Sequence, residues 1–514
     1  LSPDGHRAVA DLYRRARAEL ASVEPSDRWE RLAVRVLEMR LAEELAAHDH
    51  LDHLRHLNNI ASPLQHLKET FDVMDRTTVQ GWENVAERLR GLGGALAGYR
   101  RSLEEGKERG LAAAARQVRA VAEEAGVLAG ERSQFAGYPA ECLGTAPQLA
   151  DGVAEAADSA CGAAGELAAW LEAEYLPHAP EVEAVGEERY LRHARAFLGS
   201  ALDARETYQW GWEEIGRLGA ELERVAADID PDRSVAGVVD LMKTDPARRA
   251  AGLDEFLKII GDRQEQALAE LDGVHFDVPE PIRLVTVNLS PPGGALGAYY
   301  LPPSEDFSRP GGIWYSCAMT EVPLYEEIST AYHEGFPGHH LQIGLGLTLA
   351  DSLSRAHRLW VWYPGYGEGW ALYAERLMGE LGYFEKPDYL LGMLVSHIFR
   401  ACRVVIDIGC HLGLPIPPHA PFEPGELWDF DRAVRMLEQV AFQPHDYAVS
   451  EVTRYLGWPG QAIAYKVGER AILDLRGELQ RRQGSTFDLK EFHQRVLGSG
   501  PVGLDLLREQ VLEG

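Results

Sequence analysis

The sequence predicts a mainly α-helical protein with one small antiparallel β-ribbon, and three observations predict it. Apolar residues recur at three- and four-residue spacing through the first part of the chain, as in Ala8 to Tyr13, Leu32 to Leu37 and Val85 to Leu92. From about residue 277, prolines punctuate short β-type runs instead. Helical spacing then resumes at Val322 and runs into His333.

Taken in order, residues 4 to about 130 read as successive amphipathic helices, with Ser26-Asp27 and Thr77-Thr78 as N-terminal caps. His48, His50, His53 and His56 fall at helical spacings, but no carboxylate base accompanies them. They are expected as a polar helix surface or as ordinary hydrogen-bonded histidines. Residues 148 to 175 are alanine-rich and helical, and Tyr175 to Pro180 marks a corner. A long helical stretch is expected from about 180 to 229, its Tyr190, Tyr208, Trp210 and Trp212 forming core. Another helix covers 253 to 271. The β runs are Ile282 to Val287, Leu296 to Leu301 and Gly312 to Cys317, between Pro279, Pro281, Pro291, Pro292, Pro302 and Pro303. A free strand edge there would suit the backbone of a peptide.

Composition narrows the partners. The chain has 514 residues, 46% hydrophobic and 25% charged, which is ordinary for a soluble globular protein. Its 80 acidic and 51 basic residues give a formal charge of −29. Nucleic acid and anionic membrane are therefore not expected as partners, because a polyanion is repelled. The five cysteines, Cys142, Cys161, Cys317, Cys402 and Cys410, are too scattered for a disulfide framework or a thiolate zinc site. They suit a reducing compartment, and a cytoplasmic location is expected. The first residue is Leu1 and not Met, so an N-terminal signal removed earlier is compatible with the sequence. No run of about 18 apolar residues reads as a membrane span.

The chemistry concentrates in Ala331-Tyr332-His333-Glu334-Gly335-Phe336-Pro337-Gly338-His339-His340. A His-Glu pair followed by another His is what a hydrolytic zinc site needs: neutral imidazoles for the metal and a carboxylate outside the ligand set to take a proton from water. In H-E-x-x-H the two histidines share one helix face. Here the second lies at i+6 (His339) or i+7 (His340), roughly 9 Å or more along an unbroken helix, too far for one ion. Pro337-Gly338 removes the difficulty: proline cannot donate to the His333 carbonyl, and glycine permits an unusual turn. A broken helix is expected to fold the second histidine back. Glu334 points about 100° away from His333, as a base beside the metal must. The third protein ligand is expected at Glu368, which opens a helix after Pro364-Gly365-Tyr366-Gly367. Glu375 lies seven residues on, nearly the same face but about 10 Å further, where it would support a ligand or form a salt bridge.

Later segments supply further candidates. Residues 386 to 411 read as a long helix carrying His397, Arg400, Arg403, Asp407 and His411. Arg403, Asp407 and His411 share a face at four-residue spacing, and a buried ion pair orienting the imidazole is expected. Tyr455 is the favoured donor to a developing oxyanion, with His411 second. Arg403, Arg454, Tyr465 and Lys466 are candidates for binding substrate, the basic ones through its carboxylate. Arg454 would otherwise pair with Glu451.

The motif at 331–340 resembles DUF885, a bacterial family long catalogued as a domain of unknown function and grouped with the gluzincin-like metallopeptidases. Further blocks resemble it in the same order: Gly367 to Glu375, Arg403 to His411, Glu451 to Tyr455, and Pro459 to Gly468. The resemblance covers roughly residues 296 to 470, with a weaker echo from Gly186 to Ile215. It implies a two-lobed helical body with a deep cleft: a helical lobe over 1–276, and a catalytic lobe over 277–514 with its ribbon at 277–320, together one continuous unit. It implies Zn2+, or another divalent metal, on His333, Glu368 and one of His339 and His340. The Gly-His of related metallopeptidases points to His339. Amide hydrolysis of a short peptide or peptide-like small molecule, of carboxypeptidase or dipeptidase type, is the implied activity. A specialised metabolite as substrate, and a non-enzymatic binding protein on a decayed scaffold, are the alternatives. Sequence leaves the oligomeric state open.

Overall fold

The structure, a computed structural model, describes residues 1–290, 297–317 and 322–513. It is mainly α-helical. The chain divides into two compact units, and the division does not fall at 276. One unit holds Leu1–Val23, Leu41–Ala184 and Leu456–Trp458; the other holds Glu24–Arg40, Val185–Tyr455 and Pro459–Gly514. Residues 185–276 join the later helices because their apolar faces pack there, as with Ala204–Ile229 against Pro387–Leu412.

In the first unit, Val79–Glu108 is capped by Thr78, whose hydroxyl accepts the Gly81 N–H at 3.0 Å. Ala150–Trp170 packs on this helix and on Ala115–Ala129. The buried side chains Ala156, Ala157, Ala160 and Ala164 keep that face narrow, so the backbones approach closely. Of the four histidines, His50 is exposed and bonded to the Ala46 carbonyl at 2.9 Å, as expected, but His48 and His53 do something different. His6, His53 and His48 pack ring on ring at 4.7 Å centroid spacings, and neither nitrogen of His48 has a hydrogen-bond partner. Burial lowers both His6 and His53 to about 4, so these rings pack as neutral groups.

Asp27, in the second unit, caps Arg28–Asp49, whose residues from Leu41 on belong to the first, accepting from the N–H groups of Trp29 and Glu30 at 2.7 and 2.9 Å. Pro387–Leu412 is the central helix. It is long and apolar enough to cross a membrane, contrary to the reading of the sequence, but 83% of its apolar window is buried in the protein. It is a core helix. The single helix expected over 180–229 is two, Glu187–Leu198 and Ala204–Ile229. Gly199 ends the first in the left-handed region at φ 59°, and Asp203 caps the second. Three of the four aromatics expected as core are core: Tyr190, Tyr208 and Trp212 are buried, and Trp212 stacks on Trp428 with centroids 6.2 Å apart, whereas Trp210 is half-buried under Arg470.

The β segment is a mixed sheet, not an antiparallel ribbon. Val285–Leu289 pairs in parallel with Gly311–Tyr315, which pairs antiparallel with Tyr299–Leu301. A crossover between the two parallel strands is not visible in a local residue pattern. Leu296, where the second strand was expected to begin, lies outside the described residues. Val322–Pro323 pairs separately with Arg249–Ala250.

Candidate metal centre

Leu324–Glu334 carries His333 and stops at Gly335; His339–Thr348 starts afresh after Gly338. The helix is broken where the proline and glycines predict. Backbone contact makes the break tight: a Cβ on Gly338 would sit 2.0 Å from the His333 carbonyl oxygen, so only glycine fits. Gln264, from Leu253–Leu271, clamps the interruption. Its amide donates to the Ala331 carbonyl at 2.9 Å and accepts the Phe336 N–H at 2.6 Å. The Phe336 N–H would otherwise be orphaned by the break, while the Ala331 carbonyl also accepts the Gly335 N–H at 2.9 Å. Trp370 donates its indole N–H to the Pro337 carbonyl at 2.9 Å, tying the turn to Pro364–Glu380. That helix is placed in turn by a glycine crossing. Gly369 meets Gly468 of Ala464–Gln483, and a Cβ on Gly369 would lie 2.4 Å from the Gly468 carbonyl carbon.

This packing converges three donor atoms. His333 Nε2 and His339 Nε2 lie 3.4 and 3.5 Å from Glu368 Oε2. All three atoms are within 4.8 Å of one another. Tetrahedral ligands with bonds of about 2.0–2.1 Å stand about 3.3 Å apart, so the set fits one zinc ion. Each histidine also has the right tautomer available. His333 Nδ1–H donates to Glu375 Oε1 at 2.8 Å, which leaves Nε2 free to ligate. Ser329 fixes Glu375 from the other side, at 2.5 Å. His339 is buried and its Nδ1 has no protein partner. Glu334 does not join the donor set but feels the charges of His333, His339 and Glu368; burial raises its carboxyl above the ordinary range. Burial opposes charge on His333 too, yet its bonds to Glu368 and Glu375 raise it to about 9. The corner favours positive charge between the imidazoles and the carboxylate.

His340, the other histidine of the motif, faces away. Its Nε2–H donates to the Ile282 carbonyl at 2.8 Å and its Nδ1 accepts from the Tyr300 hydroxyl at 3.1 Å. Burial lowers it to about 4, and no lone pair is left for a metal. It joins the sheet to the motif as a neutral ring.

The remaining candidates gather elsewhere. Arg403 does not pair with Asp407; its Nη2 donates to Glu451 at 2.7 Å and its Nε to the Tyr455 hydroxyl at 3.2 Å. Tyr455 donates to the same Glu451 oxygen at 2.7 Å and is wholly buried, so its hydroxyl is already spent. Arg454 also reaches Glu451, at 3.1 Å. Tyr465 lies under the Arg403 guanidinium, 4.7 Å from its ring centroid. Lys466 is buried and donates to Glu214 and Glu469 at 2.9 and 2.5 Å, an internal ion network closed by Arg376. Buried in that network, it is not exposed to a substrate.

His411 is likewise structural. It donates from Nε2 to the Tyr455 carbonyl at 3.1 Å, and its Nδ1 receives the Val185 N–H at 3.4 Å. Asp407 is no ion-pair partner for it, because burial pushes its carboxyl up to about 8 and His411 down to about 4. Asp407 instead accepts from Tyr190 and from the Gly460 N–H, both at 2.9 Å. Sequence reasoning missed Gln264, Ser329 and Tyr300, which bear no motif. It noted His397 without a role; that buried ring stands 3.7 Å from Glu375 and 3.6 Å from Glu469.

Two solved structures share the fold. The crystal structure described as "the putative lipoprotein from Colwellia psychrerythraea" matches with a TM-score of 0.87 and 23% identity, over 100% of this chain and 91% of that one. A "putative lipoprotein of unknown function" from Shewanella oneidensis matches at 0.71 and 17%, over 99% and 93%. No curated protein matches the chain. The family profile extends well past the 296–470 block, matching residues 1–511. The chain thus belongs, over essentially its whole length, to the family described as "Bacterial protein of unknown function (DUF885)".

Proposed function

We propose that this protein is a zinc-dependent hydrolase, a metallopeptidase that cleaves amide bonds of short peptides or peptide-like small molecules. The observation that carries the reading is the pair of 3.4 and 3.5 Å separations between two imidazole nitrogens and one carboxylate oxygen, with Glu334 left outside the set. Two imidazoles and a carboxylate suit zinc, which would supply Lewis acidity toward a carbonyl and toward water. His333, His339 and Glu368 would hold it. Glu375 keeps His333 in the ligating tautomer, and Ser329 keeps Glu375 in place. Glu334 would take the proton of the attacking water and return it to the leaving amine. Glu368 keeps 18% of its side chain exposed beside two buried histidines, so the corner has an open side for substrate. The lipoprotein descriptions of the two structural neighbours favour the cell envelope over the cytoplasm as the place to look for the protein.

The test compares zinc content and hydrolysis of a dipeptide and tripeptide library in the wild type, His333→Ala and Glu334→Gln. Stoichiometric zinc in the wild type, lost in His333→Ala and kept in Glu334→Gln, with activity lost in both, is expected. A wild type that takes up no zinc would sink the proposal. Zinc without cleavage of any peptide would move the search to non-peptide substrates.

A further inference from the structure

Next to Arg400 on Pro387–Leu412 lies a cluster of cations whose bonded partners do not balance their charge. Arg403 and Arg454 are 4% and 7% exposed, and both donate to one oxygen of Glu451, at 2.7 and 3.1 Å. That oxygen also accepts from Tyr455 at 2.7 Å, so one carboxylate atom serves three donors. Two guanidinium groups against one carboxylate leave a charge of +1 in a protein whose total is −29. Arg403 Nη1 and Arg454 Nε are buried and have no hydrogen-bond partner. Orphaned cationic N–H groups are costly and rare unless something else completes them. Asp407, whose field also reaches Arg454, does not supply the missing charge, since burial keeps its proton on up to about 8.

Arg400 relates the cluster to the metal corner. Arg400, one turn before Arg403 on Pro387–Leu412, acts electrostatically on Glu334 and Glu375. Its guanidinium stands 5.8 Å from the centroid of the Tyr465 ring, on which Arg403 also sits at 4.7 Å. Tyr447, whose field reaches Arg403, is 46% exposed.

We infer that Arg403 and Arg454 form a subsite for one carboxylate of the substrate, with Arg400 and Tyr465 between it and the metal corner. This rests on the hydrolase reading and refines it: the substrate would be a peptide or peptide-like acid held by its free carboxyl end, and cleavage would be of the carboxypeptidase type. A single surplus charge matches a monoanion, and guanidinium N–H groups match a carboxylate in shape.

The experiment has a binding arm and a turnover arm, both on the full chain. After chelation of metal, the protein is titrated with N-acetylphenylalanine and with its amide. Binding of the acid and not the amide is expected, weakened about tenfold or more in Arg403→Gln and Arg454→Gln. Glu451→Gln removes the internal competitor and should tighten acid binding, a change that a purely structural cluster would not produce. Equal binding of acid and amide by the wild type overturns the subsite, whether or not the arginine variants fold. In the turnover arm, zinc-loaded protein receives a dipeptide and the same dipeptide amide. Equal cleavage of both overturns the subsite and leaves the hydrolase standing. Acid-selective binding without cleavage of either dipeptide keeps the subsite and counts against the peptidase reading.

Discussion

Two buried corners of this protein place a histidine against a carboxylate at almost the same distance, and they are built for opposite ends. In one, His333 and His339 lie 3.4 and 3.5 Å from Glu368. In the other, His411 lies 3.5 Å from Asp407. The difference is who claims the ring nitrogens. Backbone groups take both nitrogens of His411, and burial leaves Asp407 protonated and the imidazole neutral. At the first corner only the far nitrogen of His333 is taken, by Glu375, and the near ones point at a shared centre. Residue type does not separate a ligand from a strut; the ledger of hydrogen-bond partners does.

The comparison breaks most visibly by removing a carboxylate or histidine from each corner. Glu368→Ala should lose zinc altogether, a larger effect than the about 10–100-fold that an orienting partner contributes, whereas His411→Ala should still load. Atomic absorption after dialysis decides; zinc lost from His411→Ala would erase the distinction. The next effect sharpens it. Glu375→Gln should weaken zinc about 10–100-fold in a competition titration, since the tautomer of His333 is no longer imposed. An unchanged affinity would mean that Glu375 serves only the packing.

Asp407→Asn probes the second corner through pH. The folded protein keeps the Asp407 proton up to about 8, while the unfolded carboxyl loses it near 4. Between those values the native state binds more protons than the unfolded one, so wild-type stability falls as pH rises, and it levels off above about 8. Asn has no such dependence. The variant should match the wild type near pH 4 and exceed it by about 5 kcal/mol by pH 8 in urea melts. A constant difference across that range would show Asp407 to be ionised in the fold. Gln264→Leu should cost about 1–3 kcal/mol by the same measurement, because it orphans the buried Phe336 N–H. Smallest is His340→Asn, expected to cost about 1 kcal/mol and to keep full zinc stoichiometry. Loss of zinc there would make His340 a ligand after all.

Much of this was legible in the residues. Helical periodicity, the Thr78 and Asp27 caps and the break at Pro337-Gly338 are local, and local patterns report them. His333, Glu334 and Glu368 stood out because their chemistry is particular to few uses. What failed depended on partners distant in sequence. Lys466 looked available for substrate because nothing near it announces Glu214, 252 residues away. Spacing leaves His339 and His340 both open and the family resemblance leans to His339; the distant Ile282 and Tyr300, which occupy the second, decide it. The break between Leu198 and Ala204 and the parallel strand pair turn on one glycine conformation and one crossover, neither of which alters composition. The Arg403–Asp407–His411 face exists as the spacing predicts, yet burial and Glu451 redirected its pairing.

Gln264 sets an order of events in the life of the chain. The amide that shapes the His333–His339 turn comes from 72 residues before Phe336. Closing a contact of that span costs chain entropy before it returns anything, so the motif takes its working shape late, after Leu253–Leu271 has docked. A nascent chain passes through an interval in which every residue of the motif is present and its geometry is not. A proteolytic fragment that begins at the strands would remain in that condition permanently: it would carry the letters of a metal site and too little of the scaffold to spell it.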